Sequence, residues 1–199
     1  MWRAVGALLA GLMLSGCMSE TYAPTSDSAL KPKDKQLLAQ APYPNVKPSG
    51  QFARHIVEYP TGKKPGTIVV DTPNKFLYYV EANGKAIRYG VTVGEESLAF
   101  RGQAKVGRKA EWPSWTPTAE IHQRIAGLPS YVAPGPHNPM GARALYLYQG
   151  SQDTLFRIHG TNQPEYIGQA ISSGCIRMLN EDVIDLYNRV PVGAEVVVL

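Results

Sequence analysis

The sequence predicts a mostly β domain: a sandwich or barrel-like sheet with long loops and one short helix near the C-terminus. Three observations carry this. Asn83-Gly84 stands between the runs Phe76-Leu-Tyr-Tyr-Val80 and Ala86-Ile-Arg-Tyr-Gly-Val-Thr-Val93, the strongest short-range hairpin signal. Similar β-branched or aromatic runs recur at Thr67–Asp71, Ala144–Tyr148, Thr154–His159 and Glu195–Val198. The chain also holds 19 Gly and 16 Pro in 199 residues, well above the usual ~12% for the two together, so turns are frequent.

From the N-terminus, Met1-Trp2-Arg3 carries one positive charge and Ala4–Leu14 is an uncharged, mostly apolar stretch. It is too short for the ~20 residues a spanning helix needs and reads as the core of a signal peptide. It ends in Leu14-Ser15-Gly16-Cys17, which resembles the bacterial lipobox. The resemblance implies a lipoprotein signal peptide over 1–16, a bacterial host and Cys17 as the acylated first residue of the mature protein. Met18 follows, with no Asp, the pattern expected for an outer-membrane destination.

Residues 17–64 then read as a lipidated N-terminus, a flexible tether and a lead-in arm. Ser, Thr, Pro, Lys and Gln dominate up to Gly50, and only Gln36-Leu-Leu-Ala39 looks briefly helical. A flexible chain of ~30 residues spans roughly 30 Å, enough to hold a domain away from its membrane. The domain proper is expected over 65–199. Its loops are expected at Glu111–Pro117, Leu128–Met140 and Thr161–Gly174, where Gly and Pro punctuate the sequence. The one clear helix begins at Asn180, read as its N-cap, with Glu181 and Asp182 at the positive end of the dipole. Val183, Leu186, Tyr187 and Val190 follow helical spacing, and Pro191 and Gly193 stop it.

Charge narrows the function. Charged residues make up 18% of the chain, below the usual ~25%, which excludes a solvated coiled coil or a wholly disordered chain. The net charge of +4 is scattered, without the aromatic-basic stripe that would point to nucleic acid. No pattern calls for a metal or another cofactor.

The chemistry concentrates in Arg157-Ile-His159-Gly-Thr-Asn162 and Ile171-Ser172-Ser173-Gly174-Cys175-Ile176-Arg177-Met178. With Cys17 lipidated, Cys175 is the only remaining thiol in an oxidising compartment. A thiol needs a base or a lowered pKa to attack at neutral pH, and His159, ending a strand 16 positions earlier, is the natural base. The Gly160 carbonyl is placed to hold the other ring nitrogen, as a carboxylate does in familiar triads. The amides around Ser173, Gly174 and Cys175 are candidate donors to an oxyanion, and Arg177 a candidate for loop support or for a substrate carboxylate. His55, His122 and His137 read as ordinary surface or structural histidines. Trp112 and Trp115 read as packed beneath their loop rather than as a lid. The residues alone reach as far as a cysteine acyl-transfer candidate.

His-Gly-Thr-Asn followed by Ser-Ser-Gly-Cys-Ile-Arg-Met resembles the signature of the L,D-transpeptidase (YkuD) catalytic domain, and Trp112–Pro117, Gly135–Gly141, Ala144–Leu147 and Asn180–Tyr187 resemble its ErfK/YbiS branch. The resemblance covers roughly 65–199. It implies Cys175 as nucleophile, His159 as acid/base and Gly160 as its orienting carbonyl, with Ser172, Ser173, Gly174 and Arg177 filling the other motif positions. Many relatives have His where this chain has Ser173, so a relay through a second imidazole is absent. The implied substrates are peptidoglycan stem peptides. The third-residue diamino acid is joined to an amine of another stem after loss of the terminal D-Ala, at the periplasmic face of the envelope. Three alternatives stay open: an envelope protein as acyl acceptor, water as acceptor, and a non-catalytic wall-binding lipoprotein.

Overall fold

The structure, a computed structural model, describes residues 30–199 except 44, 45, 47, 96, 97 and 99. The signal segment and Cys17 lie outside the described residues. Every expected strand is present: β2 (Ile68–Asp71), β3 (Phe76–Val80), β4 (Lys85–Gly90), β7 (Arg143–Gln149), β8 (Gln152–His159) and β11 (Glu195–Val198). Asn83 and Gly84 take φ of 60° and 69°, the left-handed pair that a tight β3–β4 hairpin requires.

The run predicted as one strand to Val93 breaks after Gly90 and resumes as the short β5 (Val93–Gly94). Part of the expected loop Thr161–Gly174 is β9 (Ala170–Ser172), paired in parallel with β5. Several elements among the described residues were not expected. β1 (His55–Glu58) lies in the lead-in arm and pairs with β4. β6 (Gly102–Glu111) is the longest strand, but only Ala104 and Val106 of it are buried, so its alternation is masked by Lys105, Arg108 and Lys109. The short helix α2 (Ala119–Arg124) is capped by Thr118, whose Oγ1 accepts from the Ile121 amide at 3.3 Å.

Nine strands form one mixed sheet in the order β1-β4-β3-β2-β11-β6-β7-β8-β10, where β10 is Ile176–Arg177. Neighbours are antiparallel except β11 with β2 and β10 with β8. One buried cluster takes Ile87 and Tyr89 from one half of the sheet, Leu147 and Ile158 from the other, Val183 and Leu186 from helix α3 (Asn180–Arg189), and Val190 directly after it. The apolar stripe of α3 therefore packs into a core shared by both halves of the sheet.

The stretch read as tether is not all tether. Pro32–Ala39 forms a helix, α1, and Leu30, Leu37 and Leu38 pack against Trp112, Ala142 and Ile184. Asp34 on α1 is 1% exposed. Both of its oxygens receive the Arg143 guanidinium, at 2.9 and 2.6 Å, and Trp112 Nε1 donates to it at 2.8 Å. Burial works to raise the Asp34 pKa, but the Arg143 and Trp112 hydrogen bonds outweigh it and hold the carboxyl below its usual range. The polar residues that read as solvated linker include the partner of a fully buried arginine.

Candidate active site

β8 delivers His159 at its C-terminal end, and β10 lies beside it in parallel with Arg177 opposite His159 and Ile176 opposite Ile158. Ile158 and Ile176 point into the core at 0% and 2% exposure. Side chains alternate along a strand, so Cys175, Arg177, His159 and Arg157 share the opposite face. Cys175 directly precedes β10 and so stands diagonal to His159 across the β8–β10 pair. Both line one cleft of about 420 Å³ with Ser173, Arg177, Gln163, Trp115 and the apolar residues of α2 and the loop after it.

His159 is 4% exposed. Its Nδ1 stands 2.6 Å from the Gly160 carbonyl, a separation that assigns the proton to Nδ1 and leaves Nε2 as the basic nitrogen. Burial, then the Arg177 and Arg157 charges, push the His159 pKa down to about 3, against the Gly160 and Met140 backbone hydrogen bonds. Desolvation raises the Cys175 thiol, while the Arg157 amide and the Arg157 and Arg177 charges pull the other way. Both shifts run toward the neutral thiol and the neutral imidazole and away from the ion pair.

The turn that carries the thiol is tied by Ser172. Its hydroxyl donates to the Cys175 carbonyl at 2.5 Å and accepts from the Gly174 amide at 3.2 Å. This bears on two of the expected residues. Ser172 is buried and does not line the cleft, and the Gly174 amide is engaged within the turn, so Ser173 and Cys175 retain the part of oxyanion-donor candidates. Gly174 has φ 109°, and a Cβ there would lie 2.5 Å from both the Leu98 carbonyl and the Phe156 ring, so only glycine fits. Arg177 donates to Gln163 Oε1 at 3.2 Å and exchanges backbone hydrogen bonds with Thr92, which fixes its side of the cleft.

The remaining readings resolve in detail. Trp112 is buried and bound to Asp34, away from substrate, whereas Trp115 is half-buried and lines the cleft. His122 and His137 are exposed, and His55 Nε2 meets the Gly50 carbonyl at 3.1 Å. Asn180 does not cap α3: Leu179 occupies the cap position, and the Asn180 side chain turns to other partners. Arg157 was legible only as a motif neighbour. Its guanidinium forms two hydrogen bonds to Asp153, at 2.6 and 2.9 Å, and lies 4.4 Å from the centre of the Tyr146 ring.

Comparison with known proteins identifies the family. Residues 65–198 match the family model YkuD, the L,D-transpeptidase catalytic domain. Over 137 residues the chain is 38% identical to the probable L,D-transpeptidase YbiS of Escherichia coli (strain K12), a match covering 66% of this chain and 43% of that protein; the chain thus spans less than half the length of this curated relative. A crystal structure from Brucella melitensis, described as a probable carnitine operon oxidoreductase CaiA, is 49% identical with a TM-score of 0.52 over 77% of this chain and 96% of that one. An L,D-transpeptidase from Mycobacterium smegmatis shares the fold at 15% identity, with a TM-score of 0.52 over 67% of this chain and 58% of its own. With a thiol and an imidazole lining a shared cleft, and the family model spanning the strands from β2 to β11, the chain belongs to the YkuD family of L,D-transpeptidase catalytic domains.

Proposed function

We propose that this protein is a cysteine acyltransferase that crosslinks peptidoglycan stems between their third residues. The observation that supports it most is the placement of Cys175 and His159 on one sheet face and in one cleft, with Nδ1 of the imidazole held by the Gly160 carbonyl.

As substrate binds, Cys175 Sγ attacks the carbonyl of the third stem residue and His159 Nε2 takes the thiol proton. Burial favours the neutral forms of both groups, so in this reading the transfer accompanies the attack rather than preceding it. The tetrahedral oxyanion is stabilised by the Ser173 and Cys175 amides and by the Arg177 charge. Its collapse breaks the C–N bond, and the imidazolium returns the proton to the departing D-Ala amine. The thioester is then attacked by the side-chain amine of a diamino acid on a second stem. His159 accepts that proton and returns it to the sulfur as the C–S bond breaks. In this reading the chain acts at the periplasmic face of the envelope, tethered through a lipid on Cys17.

The test is mass spectrometry of the products formed from purified tetrapeptide monomers. The parent is expected to yield a crosslinked dimer and free D-Ala, and Cys175→Ala to lose this by about 10³-fold or more without a change in thermal midpoint. Dimer formation by Cys175→Ala at the parent's rate rejects the assignment.

A further inference from the structure

Asn180 sits behind the site rather than in it. It is 4% exposed, and its amide group makes three hydrogen bonds. Oδ1 accepts from the Ala142 amide at 2.8 Å, while Nδ2 donates to the Thr161 carbonyl at 2.8 Å and to the Tyr43 hydroxyl. A side chain in the first turn of α3 therefore joins the turn before β7 to the turn after β8. The two turns meet so closely that a Cβ on Gly141 or on Gly160 would each lie 2.2 Å from Asn180 Oδ1. At Gly141, φ is 61°, and the same Cβ would lie 2.5 Å from the Thr161 amide nitrogen, so neither side can be enlarged.

The consequence falls on the Gly160 carbonyl. On its N-terminal side the His159 carbonyl accepts from the Met178 amide at 2.8 Å. The Gly160 amide donates to the Arg143 carbonyl at 3.0 Å. On its C-terminal side the Thr161 carbonyl accepts from Asn180. With these neighbours pinned, the Gly160 carbonyl is left aimed at His159 Nδ1.

Two of the supports come from outside the family match, which begins at residue 65. Tyr43 completes the Asn180 amide, and Asp34 holds Arg143, whose Nη1 also donates to the Ala142 carbonyl at 2.8 Å.

We propose that Asn180 is a positioning residue for His159, fixing the Gly160 carbonyl that selects its tautomer, and that the N-terminal arm completes this support through Tyr43 and Asp34. Its effect on turnover rests on the transferase reading above; its effect on the imidazole does not.

The experiment therefore uses two readouts on the full chain. Nitrogen-15 NMR of the histidine rings, with His159 assigned by the loss of its signals in His159→Gln, reports the tautomer. Dimer formation from tetrapeptide monomers reports kcat and KM. The parent is expected to show a single tautomer protonated at Nδ1. Asn180→Ala is expected to give mixed tautomer signals and a kcat lowered roughly threefold to tenfold, the effect of losing one buried hydrogen bond, with KM unchanged. Tyr43→Phe is expected to move both readouts the same way by less, at an unchanged thermal midpoint. Should Asn180→Ala not fold, Tyr43→Phe decides. A parent His159 protonated at Nε2, or variants that lose turnover with the parent's tautomer, or change tautomer with the parent's turnover, or change neither, overturns the proposal. A parent with no turnover rejects the transferase reading, and the tautomer alone then decides this one.

Discussion

The wall behind His159 and the wall facing it across the cleft are made of different materials. Behind it, Asp34, Arg143, Asn180 and Thr161 are each 4% exposed or less, and charged or amide groups join α1, β7, α3 and the turn after β8. Across the cleft, Ile121, Ile125, Leu128, Pro129 and Val132 present apolar side chains on a two-turn helix and a long loop. Ile125 and Tyr131 there are 47% and 56% exposed. That loop is tied down chiefly near Val132, which exchanges backbone hydrogen bonds with Trp115, and by Asn138, whose amide donates to the Val132 and Ala133 carbonyls. Buried polar groups held by several hydrogen bonds specify one geometry and cost much to disturb. Exposed apolar side chains on a loop with few ties open locally at little cost. The reaction proposed above, which needs the thiol and imidazole fixed but must admit two bulky stems, is served by that division.

Three measurements break or sharpen the contrast. The largest effect belongs to the back wall. Asp34→Ala leaves the Arg143 cation buried without its carboxylate and is expected to lower unfolding free energy by about 3–5 kcal/mol in a denaturant titration. Replacing Asp34 and Arg143 together by apolar residues of similar volume is expected to restore most of that. A loss under about 1 kcal/mol for Asp34→Ala would show that the arm docks too weakly to belong to the wall.

The second measurement concerns pH. Burial pushes the Asp182 carboxyl at the start of α3 up to about 7, against the attraction of Arg54 and with repulsion from Glu181 and Asp185. A carboxyl whose folded pKa exceeds its unfolded value of ~3.9 binds its proton more tightly in the native state. Its contribution to stability is full below about pH 4 and is lost as the pH rises to about 7. Melting curves of the parent are expected to show this decline, and Asp182→Asn to flatten it. Asp34, with its lowered pKa, acts in the opposite sense: its contribution is present at neutral pH and is lost in strong acid.

The smallest effect belongs to the front wall. Ile125→Ala is expected to change stability by no more than about 0.5 kcal/mol while raising KM for the stem substrate. A large loss of stability there would erase the distinction between the two walls.

What could be read ahead of the coordinates follows the same division between local and distant causes. Asn83-Gly84 declares its hairpin because positive φ is a property of those two residues. The alternation of β8 placed His159 at a strand end, and the local order of His, Gly and Cys indicated the chemistry. β6 was hidden because its outward residues are charged and only Ala104 and Val106 face the core. Ser172 and the Gly174 amide were read as facing substrate, but they bond within their own turn, a matter of three residues' dihedral angles that composition does not express.

By itself, then, the sequence determined the strand-rich architecture, the hairpin, the amphipathic stripe of α3 and the two candidate reacting side chains, since each depends on residue type, short-range dihedral preference or periodicity. Only the tertiary structure decided that Asp34 serves Arg143, 109 positions away, and that Asn180 leaves its expected cap to join two glycine turns. The reason is physical: a buried polar group must find a partner, but any carboxylate or amide satisfies that need equally well along the chain, and packing alone brings one particular partner within hydrogen-bonding distance.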